Sequence, residues 1–226
     1  MAKYDFGKIL LMWRPSNGER RINIGTISIN KQTKELSFLY NNDGVEQAKN
    51  LTHSFHGYPG LPLEQNKFSS EQLKEVFFCR LFDVNRNDAP EFLDFWLVDR
   101  NRLTDNIYLL AQTQGLSFSD MYEFIPQYYV SSRTSFITDI AGLSKSLFDI
   151  SKLKKGDRLD FKKEIDNRFD KHAVIVTFKN EKIGYIKKGH NSIFEKKDLT
   201  KIKLEVWESL SLFDTHKLYV KVSIKP

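Results

Sequence analysis

Between Lys155 and Lys188 the chain gathers side chains that suit recognition: Arg158, Lys162, Lys163, Asn167, Arg168, Phe169, Asp170, Tyr185, Lys187 and Lys188. A ring stacks on a planar group, a carboxylate accepts hydrogen bonds, an amide reads a polar edge, and Lys or Arg neutralises an anion. The run Glu164-Ile165-Asp166-Asn167-Arg168-Phe169-Asp170-Lys171 mixes these types around one aromatic, the composition of a loop that carries function more often than packing. Two plainer roles compete: Asp170 capping a turn through backbone N–H groups, and Phe169 lying in a core. Catalysis has less behind it. Asp160-Phe161-Lys162 has the form of half a metal-dependent nuclease site, yet strand alternation and the neighbouring Lys163 make it a solvated face. His53, His56 and Cys79 are loosely spaced, with no evident fourth zinc ligand, so the histidines read as structural. With no phosphate-cradling glycine loop, nucleophile elbow or kinase signature, the expectation is a protein that is not an enzyme and uses no metal or cofactor.

These residues need strands to hold them. Arg158 to Lys163 alternates with a period of two, Ala173 to Phe178 is apolar and β-branched, and Lys182 to Lys187 follows a short turn at Asn180. The spacing predicts Leu159, Phe161, Val174, Val176, Ile183 and Ile186 inside a sheet. Counting back from the Lys179 to Glu181 turn sets Tyr185 opposite a residue near Ile175, about 10 Å along the strand from the loop. A strand from Phe136 to Ala141, with Gly142 allowing it to bend, a short helix within His190 to Lys197, and closing strands Lys201 to Trp207 and Leu218 to Ile224 complete a small barrel of about five or six strands.

Gly156-Asp157, Leu159, Glu164-x-x-Asn167-x-Phe169-Asp170-x-x-Ala173-Val174-x-Val176 and Ile183-Gly184-Tyr185-Ile186 together resemble the HIRAN domain of Rad5-type and helicase-like transcription factor translocases. The resemblance spans about Ser135 to Pro226 and implies an OB-like or SH3-like β-barrel that captures the 3′ end of single-stranded DNA. On that pattern Phe169 and Tyr185 stack the terminal base, Asp170 accepts from the free hydroxyl, Asn167 reads a base or sugar edge, and Lys188 holds a phosphate. Arg158, Lys162, Lys163, Arg168 and Lys187 would add contacts to the backbone. The chain departs from the translocases at Asp166, where they carry a second Asn, and at Arg168, where they carry Pro. Their Arg-Tyr pair on the first strand falls on Thr138 and Asp139, which weakens the case for tight end capture and spares general backbone binding.

The first half has a different character. Lys8 to Trp13, Ile22 to Ile29 and Glu35 to Tyr40 form a three-stranded antiparallel meander that needs helices packed on it. Ser69 or Ser70 caps a helix over Glu71 to Phe78, Ala89-Pro90 opens an apolar one, and Thr104-Asp105 caps Asn106 to Gln114 ahead of Gly115. The rigid Gly57-Tyr58-Pro59-Gly60-Leu61-Pro62 connector and the later segments are faintly similar to the N-terminal subdomain of HipA-type kinases, without the part that binds ATP. Pro126 to Arg133 breaks the helical pattern, so the expected organisation is α+β: residues 1–130 a small antiparallel sheet with helices, residues 131–226 the barrel.

Charge divides the same way, since residues 131–226 hold 21 Lys and Arg against 13 Asp and Glu, whereas residues 1–130 hold 14 against 16. A single cysteine and the lack of a long apolar run suit a soluble cytoplasmic protein with no membrane partner. The reading is therefore a DNA-binding protein that engages single-stranded DNA or 3′ ends, in repair or in defence against foreign DNA. A protein partner on the N-terminal module is a further expectation. The alternative is an adaptor whose barrel no longer binds DNA and whose aromatic-rich first half docks a partner.

Overall fold

The computed structural model describes residues 4–65, 67–117, 119–129, 131, 133–212 and 215–225. The chain divides into two compact units, Met1–Tyr128 and Tyr129–Pro226. Val130 and Ser132, in the stretch expected to separate the two halves, lie outside the described residues.

In the first unit β1 (Phe6–Trp13), β2 (Ile22–Ile29) and β3 (Leu36–Tyr40) form the expected meander, and β6 (Tyr122–Tyr128) joins it as a fourth strand in the order β3-β2-β1-β6. Pro126 therefore lies inside a strand, opposite Ile9. The sheet tolerates it because β6 is an edge strand, where a missing N–H breaks no ladder on its outer side. Between β3 and β6 run α1 (Asn42–Leu51), the hairpin strands β4 (Gly57–Tyr58) and β5 (Leu61–Pro62), then α2 (Ser70–Phe78), α3 (Ala89–Phe95) and α4 (Asn106–Thr113). Ser69 and Asp105 cap α2 and α4 by accepting from the N–H groups of Gln72 and Tyr108. Edge-to-face aromatics fill the core: Phe77 meets Phe124 at 5.3 Å and Tyr58 at 5.4 Å. Arg80 stands over them and makes two bonds to the Asp120 carboxylate, at 2.7 and 2.8 Å.

The second unit is a closed six-stranded barrel. Its strands are β7 (Thr134–Ala141), β8 (Arg158–Lys163), β9 (Val174–Phe178), β10 (Glu181–Ile186), β11 (Ile202–Leu212) and β12 (Thr215–Ile224), with α5 (Ser192–Lys196) between β10 and β11. The order is β10-β7-β12-β11-β8-β9, antiparallel throughout. Lys179 and Asn180, both at positive φ, make the two-residue turn between β9 and β10, a backbone whose twist matches that of the flanking strands. Leu159, Val174, Val176, Ile183 and Ile186 are all no more than 3% exposed, as alternation requires. Phe161 is only half-buried and meets Phe194 of α5 edge-on at 5.1 Å. The α+β class expected from the sequence holds for the whole chain. Among the described residues no helix is long and apolar enough to cross a membrane, and no group of His, Cys, Asp and Glu is arranged to hold a metal ion.

Candidate nucleic-acid interface

Residues 164–173 bridge β8 and β9, and their shape follows from their own polar groups. The Glu164 N–H donates to the Ala173 carbonyl and the Ala173 N–H to the Asp170 carbonyl, each at 2.9 Å, which closes the base of the loop. Inside it, Asn167 Oδ1 accepts from the N–H groups of Phe169 (2.9 Å) and Asp170 (3.0 Å), while its Nδ2 donates to the Glu164 carboxylate. Asn167 is thus an Asx-type turn former. Asp170 is anchored as well: Oδ1 accepts from the His172 N–H at 2.9 Å and Oδ2 from Asn191 Nδ2 at 2.7 Å. The turn-capping role weighed for Asp170 is present in the structure, and each oxygen keeps a second lone pair for another donor.

With its backbone held by Asn167, Phe169 projects a ring that is 65% exposed. It is therefore not core, and a large apolar side chain displayed on a braced loop is a ready stacking surface. Tyr185 lies opposite Ile175 on β9, where the count from the turn places it, and opposite Ala141 on β7. Its hydroxyl donates to Glu164 Oε2 at 2.9 Å and accepts from Lys182 Nζ at 2.6 Å. Glu164 is the hub that ties the loop to β10. The Asn167 hydrogen bond holds its carboxyl below the ordinary carboxylate range, against slight desolvation and with help from Tyr185, Lys182 and Lys162. Because the shift is downward, the tie is complete above the ordinary carboxylate pKa and is lost only as pH falls through the lower folded value.

The cations divide into two groups. Arg158, Lys162, Arg168 and Lys188 are exposed, as is Lys163, whose Nζ also donates to the Glu195 carbonyl at 3.4 Å. Lys187 is 1% exposed and ion-paired with Asp139 of β7, which corrects its assignment as a backbone contact: its charge is neutralised inside the wall of the barrel. Thr138 and Asp139, where the resemblance leads one to expect an Arg-Tyr pair, serve structure here. Asp139 holds Lys187, and Thr138 is fully buried with its hydroxyl 2.9 Å from His190 Nδ1. Sequence reasoning missed Asn191, which is 4% exposed and bonds Asp170, the His172 carbonyl and the Gly189 N–H. It gave Glu164 no role. A lone Asn beyond β10 carries no signal of a loop it will touch only after folding; Glu164 was visible through its spacing to Asn167.

Residues 134–206 match the HIRAN domain model, and the chain carries a HIRAN domain there. The crystal structure of the HIRAN domain of human HLTF is similar at 16% identity and a TM-score of 0.33, over 40% of this chain and 74% of that one. A crystal structure of a protein from Lactobacillus plantarum is similar at 15% identity and a TM-score of 0.29, over 42% of this chain and 100% of that one. No curated protein matches the chain.

Proposed function

We propose that the HIRAN domain binds single-stranded DNA without chemical reaction, seating a 3′-terminal nucleotide against Phe169 and Tyr185. The observation that carries this reading is the exposed Phe169 ring on a loop immobilised by Asn167, Asp170 and Asn191. A base stacks on the ring, and the free 3′ hydroxyl donates to a remaining lone pair of Asp170. The flanking phosphates meet Lys188, Arg168 and Lys162. Asp170 and Glu164 add negative charge beside those cations, which favours a terminus that presents a hydroxyl donor over one that presents a phosphate.

Fluorescence anisotropy with a labelled oligonucleotide over a range of salt tests the binding. Each neutralised phosphate on a single strand contributes about −0.7 to the slope of log affinity against log salt. The double substitution Arg158→Glu with Lys162→Glu touches exposed side chains, so it should weaken binding to every sequence alike and flatten that slope while leaving the melting temperature nearly unchanged. A purified protein that shifts no oligonucleotide at low salt would favour the adaptor reading.

A further inference from the structure

We propose that the nucleic-acid surface continues from the Phe169 loop along the outer face of β8 to a second stacking platform, Trp207 between Lys155 and Lys221. This rests on the single-strand reading above and adds a site to it. Lys162, Ile175 and Tyr185 form one row across β8, β9 and β10, and Arg158, Glu205 and Lys221 form another across β8, β11 and β12. Arg158, Asp160 and Lys162 all face solvent on the strand that joins the rows. β8 pairs with β11 only at Leu159 and Arg158, and a cleft of about 280 Å³ opens beside Arg158 and Asp160, lined on its far side by Leu199, Thr200 and Ile202.

At the end of this path the ladder between β11 and β12 slips, from Val206 opposite Val220 to Glu208 opposite Tyr219, and Trp207 is the extra residue. A bulge re-aims its side chain, and here it sets the indole among cations. Lys155 Nζ lies 4.4 Å and Lys221 Nζ 5.8 Å from the ring centroid. Lys155 belongs to a turn fastened to the bulge: the Gly156 N–H donates to the Val206 carbonyl at 2.8 Å and the Val206 N–H to the Asp157 carbonyl at 2.9 Å. That turn needs φ of +90° at Gly156, a conformation glycine adopts without cost to a side chain. An exposed ammonium holds a ring more weakly than a stacked base does, so an arriving base displaces Lys155, which turns to the adjoining phosphate. Glu205, which lies between Arg158 and Lys221 in this row, is already paired with Lys203 at 2.7 Å. From the Tyr185 row to Trp207 the wall measures roughly 20–25 Å by strand spacing and rise. At a stacked spacing of ~3.4 Å that distance takes about seven nucleotides.

A thymidine trinucleotide therefore reaches only the loop, whereas a dodecanucleotide reaches both platforms. Trp207→Ala should lower affinity for the dodecamer roughly 5- to 150-fold, the effect of one lost stacked base, and leave the trimer unchanged, with Trp207→Phe recovering much of the loss. The dodecamer should also quench intrinsic tryptophan fluorescence in the wild type but not in Trp207→Phe, since Trp13 and Trp96 are buried. Lys155→Glu, at an exposed position, should show the same length dependence if Trp207→Ala fails to fold. Equal losses at both lengths, or an unchanged dodecamer affinity without quenching, overturn the second platform while the loop site stands. A wild type that binds neither length overturns both.

Discussion

Gly184→Val should unfold the barrel or lower its melting temperature by roughly 12–24 °C. A Cβ at Gly184 would lie 2.5 Å from the Ala141 carbonyl oxygen and 2.6 Å from Ile140 Cγ2. Neither can retreat cheaply, because both belong to β7, which meets β10 only at Tyr185 with Ala141 and Ile186 with Ile140. Those pairs close the barrel. Overpacking commonly costs about 1–3 kcal/mol, and a clash with backbone at the closing seam belongs at or above the top of that range. For a unit of this size each kcal/mol shifts the midpoint by about 4–8 °C. Gly156→Ala is the control, since its Cβ meets nothing within 4 Å and only the positive φ resists it, at about 1–2 kcal/mol. Thermal denaturation followed by circular dichroism reads both; a Gly184→Val protein as stable as wild type would contradict the closed seam.

Phe169→Ala should have the opposite signature, a loss of binding without a loss of fold. The ring is already 65% exposed, so removing it takes little from the core, and the loop keeps its Asn167, Asp170 and Asn191 hydrogen bonds. Losing one stacked base costs about 1–3 kcal/mol, a fall of roughly 5- to 150-fold in affinity for single strands. Tyr185→Ala is the less clean experiment, because it also severs the tie to Glu164 and the support given to Lys182. Asp170→Ala is confounded in the same way by the His172 N–H and Asn191. Parallel anisotropy and melting curves on Phe169→Ala separate the two effects, and unchanged affinity would remove the stacking role.

The parts of the structure legible in the sequence are those where one local pattern decides the outcome. The bounds of β8 and β2 can be read from the sequence because apolar alternation marks them, although in β2 the phase slips between Ile24 and Ile27, where the register against β1 shifts. The barrel core follows from the same rule. α1 hides because it packs through the absence of a side chain: only Gly44, Val45 and Ala48 are buried, and a Cβ on Gly44 would lie 1.9 Å from the Asn23 carbonyl oxygen. No apolar stripe announces such a helix. Pro126 reads as a break, and the edge position that permits it inside β6 is a fact of sheet order. In the candidate site Phe169 is legible as an aromatic among polar residues. Lys187 reads as a surface cation by alternation, and only the fold reveals Asp139 beside it. Asp170 shows most clearly why types alone are insufficient, because one carboxylate both builds the loop and faces the proposed ligand.

Wild-type protein titrated against one oligonucleotide ending either in a free 3′ hydroxyl or in a 3′ phosphate tests terminal capture without disturbing any side chain. A hydroxyl donates to Asp170; a phosphate cannot, and it brings charge toward Asp170 and Glu164. A charge-assisted hydrogen bond is worth about 1.5–3 kcal/mol, so the free end should bind roughly 10- to 150-fold tighter at equal salt. A strand phosphorylated only at its 5′ end should bind like the free one. Equal affinity for free and blocked 3′ ends would contradict capture of a terminus at the Phe169 loop.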